Sequence, residues 1–179
     1  IDIPGPIGVD KGDSVFIVPR GTDRPEMHFS VNYEKFCLDM KSGTEILIDD
    51  GELSMTIEEK GDRWLRCVVN NSGTIKNRKS VNVPNIPIPL PSLTDKDRAY
   101  IRFAVEKRLD FIAHSFVRNK EDVIAVQNML DELESPIKVI AKIENKEGVD
   151  NLDEILDHCL GVMVARGDLG VEIPLEEVP

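Results

Sequence analysis

The sequence predicts a mixed α/β protein made of two parts, an all-β module followed by a module with a parallel sheet. Three observations support this prediction. Short β-branched runs separated by turn residues fill the first part, a proline-rich stretch spans Pro84 to Pro91, and strand and helix patterns alternate after it. The 179 residues, 41% of them hydrophobic, are enough for one domain or for two small ones.

The first part contains strand-like runs, namely "SVFIVP" from Ser14, "EILID" from Glu45, "LSMTIEE" from Leu53 and "WLRCVVN" from Trp64. Turn residues separate them in "DDG", "EKGD" and "NNSG". Because the runs lie close together in the sequence, we expect them to pair as hairpins. The stretch "NVPNIPIPLPS" then predicts a stiff linker, because proline fits neither a helix interior nor a central strand.

The second part opens with a predicted helix in "SLTDKDRAYIRFAVEKR". Thr94 and Asp97 have the spacing of a capping box, which typically starts a helix. Apolar and long side chains then recur at helical spacing, at Ile101, Ala104, Val105 and Arg108. The run "LDFIAHSFV" from Leu109 follows and predicts a buried strand.

A second helix is predicted to begin near Asn119, with one apolar face formed by Val123, Val126, Leu130 and Leu133. The strand "IKVIAKIE", the helix "VDNLDEILDHC" and the strand "GVMVARGD" complete the alternation. Strands and helices that alternate through short connections predict a parallel sheet, either open or closed into a barrel.

Composition narrows the function classes. A net charge of −11 argues against broad binding of nucleic acid or of anionic membranes. Cys37, Cys67 and Cys159 are widely spaced and form no CxxC pair, so neither a disulfide framework nor a zinc site is indicated. No apolar run is long enough for a membrane span, and no signal peptide is evident. We therefore expect a soluble protein in the reducing cytoplasm.

Three charged residues follow apolar strands and suggest a site. Lys142 and Glu144 project to the same side at the carboxyl end of one predicted strand, and Asp168 lies at the carboxyl end of the next. Ligands bind at this rim in parallel α/β sheets and barrels. Two carboxylates suit Mg²⁺ or Mn²⁺, and a lysine suits a phosphate group. The alternative is a plain ion pair of Lys142 with Glu144 or Asp168.

Glycines favour the ligand site over the plain ion pair. In "ARGDLG", Gly167 and Gly170 flank Asp168, which lets backbone N–H groups approach an anion where a short helix could begin.

The segment "KVIAKIENKEGVDNLDEIL", followed by "GVMVARGDLGVEIP", resembles the active-site signature of the pyruvate kinase family. "LIDDGELSM" resembles the hairpin of that family's mobile B domain, "NRKSVNVPN" resembles its closing strand, and "LDFIAHSFVRNKEDV" resembles the fourth barrel strand with its helix. The likeness covers nearly the whole chain, from Asp2 to Pro179.

The resemblance implies a (β/α)₈ TIM-barrel portion interrupted by an all-β barrel lid domain. Residues 1–4 would end barrel strand 3, residues 5–87 would form the lid (B) domain, and residues 88–179 would hold barrel strands 4 to 6 with their helices.

The resemblance also implies roles for single residues in and near the barrel. Glu144 and Asp168 match the carboxylates that bind the divalent cation, Mg²⁺ or Mn²⁺. Lys142 matches the lysine beside the phosphoryl group in transfer, where it offsets charge on that group and on the enolate oxygen. The backbone at Gly167 and Asp168 matches the pocket for the substrate carboxylate. A further motif, "SFxR", would support this pocket with Ser115, Phe116 and Arg118.

Two residues of the lid match positions near the nucleotide. Lys79 matches a basic residue that reaches the nucleotide phosphates, with a solvated surface lysine as the alternative. Asp50 matches an acid that approaches metal and nucleotide on closure, with an ordinary acidic turn as the alternative.

Two departures from the family pattern stand out. Asp2 matches a ligand of a monovalent cation, but Ile3 stands where potassium-dependent members usually have threonine, which puts a K⁺ requirement in doubt. After Gly5 and Pro6 the sequence passes straight to "IGVDKGD", where the family continues differently. We interpret this as a gap in a partial chain that begins inside the barrel, and we expect the segment alone to be inactive.

The implied reaction is phosphoryl transfer from phosphoenolpyruvate to ADP, which gives pyruvate and ATP in the final step of glycolysis. The implied assembly is a cytoplasmic homotetramer without nucleic-acid or membrane partners. One alternative is a Mg²⁺-dependent lyase or aldolase of the phosphoenolpyruvate and pyruvate barrels. Another is a non-catalytic binding module that keeps the fold.

Overall fold

The chain is described by a computed structural model over residues 1–84, 86 and 88–178. These residues divide into two compact units, the first ending at Ile88 and the second starting at Pro89. The predicted domain boundary at Pro87 lies outside the described residues, as does part of the predicted linker. Within the described ranges, no helix is long and apolar enough to cross a membrane.

Strands dominate the first unit. They are β1 (Ile7–Val9), β2 (Ser14–Ile17), β3 (His28–Phe29), β4 (Glu45–Ile48), β5 (Leu53–Lys60), β6 (Leu65–Val69), β7 (Gly73–Ile75) and β8 (Val81–Asn82), with the short helix α1 (Phe36–Asp39). Six of them form one sheet in the order β3-β2-β6-β5-β4-β8, and β1 pairs with β7. The predicted strands and the hairpin pairings of β4 with β5 and of β5 with β6 are confirmed.

Alternation of side chains explains the core of this unit. In β6, Leu65, Cys67 and Val69 are buried while the residues between them are partly exposed, as expected for strands with one face on the core. The turn between β4 and β5 holds Asp49, Asp50 and Gly51 at φ values of 54°, 56° and 90°. This left-handed turn closes the hairpin.

The second unit alternates helices and strands. Its elements are α2 (Asp95–Glu106), β9 (Phe111–His114), α3 (Lys120–Glu132), β10 (Lys138–Ile143), α4 (Lys146–Asp150), α5 (Leu152–Leu156), β11 (Gly161–Val164), α6 (Arg166–Glu172) and a 3₁₀ turn (Leu175–Glu177). The three strands form a parallel sheet in the order β11-β10-β9. The prediction of a mixed α/β protein with a parallel sheet is thus confirmed.

The predicted helix starts are also confirmed. Thr94 and Asp97 form a reciprocal capping box at the start of α2, and Asn119 accepts the Asp122 N–H at the start of α3. Helix α2 ends at Glu106, and Arg108, which lies beyond its end, has a φ of 52°. The prediction that Arg108 belongs to this helix is therefore wrong.

Two further expectations need correction. The helix predicted from Val149 to Cys159 is broken at Asn151, whose side chain donates to the Arg118 carbonyl instead of facing solvent.

The strand after Leu109 was expected to be buried, yet Phe111 is 57% exposed. Strands β9 and β11 flank β10, and β10 alone has neighbours on both sides within the described sheet. Only alternate residues of β10, such as Val139 and Ala141, are fully packed in the core.

Candidate active site

The carboxyl end of β10 holds an ion pair. Lys142 Nζ lies 2.5 Å from Glu144 Oε1, and the two side chains are 23% and 1% exposed. A carboxylate this deeply buried needs charged or hydrogen-bonding partners, since an unpaired buried charge is strongly unfavourable. The contact matches the predicted meeting of these two residues, and it equally matches the plain ion pair that the sequence left open.

The loop after β9 supplies further contacts to this pair. Lys142 Nζ donates to Ser115 Oγ at 3.1 Å, and the Phe116 backbone N–H donates to Glu144 Oε2 at 2.6 Å. Phe116 has a φ of 54°, a left-handed conformation that costs a non-glycine residue about 1 kcal/mol. Glu144 therefore has one oxygen held by the backbone and the other directed at Lys142.

Asp168 follows the neighbouring strand. It was expected at the end of β11, but that strand stops at Val164 and Asp168 lies in the first turn of α6. Strand β11 pairs with β10 so that Met163 stands opposite Lys142, and Ala165 N donates to Ile143 O at 3.2 Å. In the described part of the chain, no hydrogen bond or ion pair joins Asp168 to Lys142 or Glu144.

Gly167 and Gly170, expected to flank an anion pocket, both lie within α6. A Cβ atom placed on Gly167 would meet nothing within 4 Å, so steric crowding does not require a glycine there.

Asp122 forms the center of a cluster that the sequence reasoning missed. The carboxylate accepts hydrogen bonds from Ser92 Oγ at 2.5 Å, from Arg118 N at 3.0 Å, and from Arg118 Nε and Nη2, each at 2.9 Å. Burial alone would raise the pKa of Asp122, but the hydrogen bonds from Arg118 and Ser92 hold this pKa below its ordinary value. The spacing of Arg118 and Asp122 by four residues at a helix start was the available signal.

Lys79 and Asp50 lie near one turn of the first unit. Lys79 Nζ donates to Asp49 Oδ1 at 2.7 Å, and this hydrogen bond raises the pKa of Lys79. Ser80 Oγ donates to Asp50 Oδ1 at 2.8 Å. Both predicted residues therefore belong to one small charged network beside the β4–β5 turn.

Asp2 pairs with an arginine. Arg20 Nε lies 3.1 Å from Asp2 Oδ2, and the side chains are 62% and 49% exposed. Asp2 also forms an isolated antiparallel bridge with Ser30, within the first unit.

A metal ion is usually held by several side chains that lie close together. Among the described residues, no group of three or more His, Cys, Asp or Glu side chains could hold a metal ion. A Mg²⁺ site needs fewer protein ligands, because this ion usually keeps several waters and binds through one or two carboxylates plus substrate phosphates. Glu144 offers such oxygens beside a lysine, so the donor set fits a hard divalent cation.

A parallel α/β unit with a lysine and a carboxylate at the end of its middle strand is typical of enzymes that act on anionic substrates at the strand ends. Comparison with known proteins defines the class further. The family model described as pyruvate kinase, barrel domain, matches residues 6–179. The chain belongs to the pyruvate kinase family.

Individual relatives agree with this assignment. The chain is 48% identical to a pyruvate kinase of Borreliella burgdorferi over 179 residues, which covers 99% of this chain and 37% of that protein. It is 42% identical to one of Staphylococcus aureus and 43% identical to one of Staphylococcus epidermidis, each over 98% of this chain and 30% of the relative. The chain thus spans well under half the length of these curated relatives.

Proposed function

We propose that this chain takes part in phosphoryl transfer from phosphoenolpyruvate to ADP, which gives pyruvate and ATP in the final step of glycolysis in the cytoplasm. The observation that carries the proposal is the Lys142–Glu144 contact at the carboxyl end of β10, in a chain of the pyruvate kinase family. We further propose a homotetramer with no nucleic-acid or membrane partner.

In the proposed architecture, the two parts of the chain have different roles. Residues 88–179 contribute strands 4 to 6 of a (β/α)₈ barrel, and residues 1–4 end strand 3. Residues 5–87 form the all-β lid, whose closure would exclude water from the transfer.

Glu144 and Asp168 are the proposed ligands of Mg²⁺ or Mn²⁺. The buried Glu144 carboxylate, with one oxygen fixed by the Phe116 N–H, supports this role because its other oxygen has a defined direction. Asp168 supports it because its half-buried carboxylate has no hydrogen bond or ion pair among the described residues. A bound divalent cation would neutralise charge on the substrate oxygens.

Lys142 is the proposed catalytic residue. Glu144 would hold the cation, and Lys142, whose Nζ donates to Ser115 Oγ at 3.1 Å, would lie beside the phosphoryl group. There it would offset charge on the group in transfer and on the enolate oxygen, an electrostatic contribution that is usually the largest one in phosphoryl transfer.

The remaining residues bind substrates in this proposal. The backbone at Gly167 and Asp168 would accept the carboxylate of phosphoenolpyruvate. Lys79 would leave Asp49 to reach the nucleotide phosphates, and Asp50 would approach the metal on closure. Asp2 is the proposed position for a monovalent cation.

Two alternatives are weaker. Family membership favours the kinase over a Mg²⁺-dependent lyase or aldolase of related barrels. Retention of Lys142, Glu144 and Asp168 together favours an enzyme over a non-catalytic binding module.

The test is pyruvate formation from phosphoenolpyruvate, ADP and Mg²⁺, with the protein at its full length. The expected result is turnover that needs both ADP and Mg²⁺ and that is lost in Lys142→Met but kept in Lys120→Met. Lys120 is a matched control because it lies on α3 and pairs with Glu154. Release of pyruvate and an aldehyde from a 4-hydroxy-2-oxo acid, without ADP-dependent turnover of phosphoenolpyruvate, would instead support a lyase or aldolase. Metal and nucleotide binding without turnover would support a binding module.

A further inference from the structure

Two acidic residues are buried in the described part of the chain. Asp122 is 2% exposed and Glu144 is 1% exposed. Glu144 belongs to the proposed site, whereas Asp122 lies at the start of α3 and has no place in the proposed reaction. Asp122 nevertheless accepts hydrogen bonds from four donors, so its carboxylate is fully engaged.

We propose that Asp122 is a positioning residue, which holds the loop of residues 115–118 so that the Phe116 N–H fixes the Glu144 carboxylate. The proposal rests on the proposed role of Glu144 as a metal ligand. Its geometric part, the link from Asp122 through Arg118 to Phe116 and Glu144, stands on the contacts alone.

The first step of the link runs from Asp122 to Arg118. The carboxylate accepts from both the backbone and the guanidinium of Arg118, so it fixes the main chain and the side chain of that residue together. Bidentate arginine–carboxylate pairs are among the stronger and more directional contacts in proteins. Residue 118 therefore cannot turn without breaking several hydrogen bonds to a buried carboxylate.

The second step runs from Arg118 to Phe116, two residues earlier. Phe116 has a φ of 54°, a strained conformation for a non-glycine residue that persists only when neighbouring contacts enforce it. This conformation directs the Phe116 N–H at Glu144 Oε2, 2.6 Å away. If residue 118 were released, the strained residue could relax and the N–H would turn from the carboxylate.

Other contacts clamp the middle of the loop. Val117 N donates to Lys142 O at 3.3 Å, and Asn145 Nδ2 donates to Val117 O at 3.3 Å. A Cβ atom on Gly148 would lie 2.5 Å from the Val117 carbonyl oxygen, so α4 packs directly on the loop. These contacts hold Val117 against β10 and α4, while the hydrogen bonds from Arg118 to Asp122 hold the carboxyl end of the same loop.

The experiment compares Asp122→Asn with Asp131→Asn in the full chain. Asp131 is a matched control because it lies on the same helix, is exposed, and only accepts from Gln127. The first measurement is amide hydrogen exchange by NMR. We expect the Phe116 amide to exchange at least about tenfold faster in Asp122→Asn, while amides of β10 and α3 keep their rates.

The second measurement is Mn²⁺ titration followed by paramagnetic relaxation of water. Loss of a residue that orients a metal ligand typically weakens binding by about 10- to 100-fold, and we expect a loss in that range for Asp122→Asn. Asp131→Asn should bind like the wild type. Unchanged Phe116 exchange and unchanged Mn²⁺ affinity in folded Asp122→Asn would overturn the proposal.

Arg118→Lys is the second variant, and it replaces Asp122→Asn in both measurements if Asp122→Asn does not fold. This variant keeps the positive charge beside Asp122 but loses the bidentate contact. It should therefore also speed the exchange of the Phe116 amide and weaken Mn²⁺ binding. If the wild type binds no Mn²⁺ while the Phe116 amide still exchanges faster in the variants, the proposed metal role of Glu144 is wrong and the positioning role of Asp122 is supported. If the wild type binds Mn²⁺ and both the Phe116 exchange rate and the Mn²⁺ affinity are unchanged in the variants, the positioning role is wrong and the metal role is supported.

Discussion

Phe116 donates its backbone N–H to Glu144 Oε2 from a left-handed conformation, at 2.6 Å. The hydrogen bond joins the loop after β9 to the carboxyl end of β10, so two neighbouring strands of the sheet together define the orientation of one buried carboxylate. Glu144 Oε1 then faces Lys142 Nζ at 2.5 Å, so both oxygens of the buried carboxylate have a defined partner.

The first prediction concerns the metal. Glu144→Gln and Asp168→Asn should each weaken Mn²⁺ binding by about tenfold or more, because each removes the charge of a proposed oxygen ligand. Titration calorimetry measures the affinity, and Glu132→Gln on the exposed side of α3 is the control. Unchanged affinity in both site variants would contradict the proposed ligands.

The second prediction concerns Lys142. Lys142→Met, in the full-length protein, should lower kcat by about 100-fold or more and change KM for phosphoenolpyruvate much less, since the proposed role of the ammonium is to offset charge that develops in the transition state. Steady-state kinetics separate the two constants. A large rise in KM at constant kcat would show that Lys142 only holds the substrate.

The third prediction concerns potassium. Ile3 offers no side-chain oxygen, and Arg20 already supplies a cation to Asp2. Activity should therefore depend little on K⁺ when tetramethylammonium replaces it. Arg20→Gln should make K⁺ stimulatory, while Arg66→Gln, which removes an arginine paired with Glu58 and Glu59, should not. A steep K⁺ requirement of the wild type would refute this role of Arg20.

Local patterns could be predicted from the sequence where local rules decide the structure. Strands β4 to β6 alternate buried and partly exposed residues, and Asn119 caps α3, as expected. The meeting of Lys142 and Glu144 followed from their spacing on one strand. The short strands β1, β3 and β7 were missed, because their partner strands lie elsewhere in the sequence, whereas β8 falls within the "NRKSVNVPN" segment that was matched to a closing strand.

The same limit applies to the site. Ser92 and Asp122 are 30 residues apart, so only the folded chain shows that they share a hydrogen bond. The helix break at Asn151 likewise depends on the distant Arg118 carbonyl. Asp168 was placed one element too early, because the glycine-rich "ARGDLG" gives no sharp sign of where β11 ends and α6 begins.

The fourth prediction concerns the cysteines. Burial raises the pKa of Cys67 to about 12 and also raises the pKa of Cys37, so neither thiol ionises appreciably near neutral pH. Cys159 is only partly buried. Iodoacetamide at pH 8 should therefore label Cys159 first, as measured by peptide mass spectrometry, and all three cysteines should react in urea. Equal labelling of Cys67 and Cys159 in the native protein would contradict the buried placement of Cys67.

The fifth prediction is a pH dependence of stability set by Asp122. Because the pKa of the folded-state carboxyl lies below its ordinary value of about 3.9, its stabilising contribution is complete above that pH and is lost as the pH falls through the folded-state pKa. The Arg118 side chain is 22% exposed, so the pair is only partly buried, and Asp122→Asn should lower the free energy of unfolding by about 1 to 3 kcal/mol at pH 7.

The gap between Asp122→Asn and the wild type should then narrow below about pH 4, because the unfolded-state carboxyl takes up a proton there first and the folded-state carboxyl follows at its lower pKa. Urea unfolding at pH 7, 5 and 3 measures this gap, with Asp131→Asn as the matched exposed control. The control should follow the wild type at each pH. A gap that stays constant down to pH 2, or a variant as stable as the wild type at pH 7, would show that the Arg118–Asp122 pair does not hold this part of the fold.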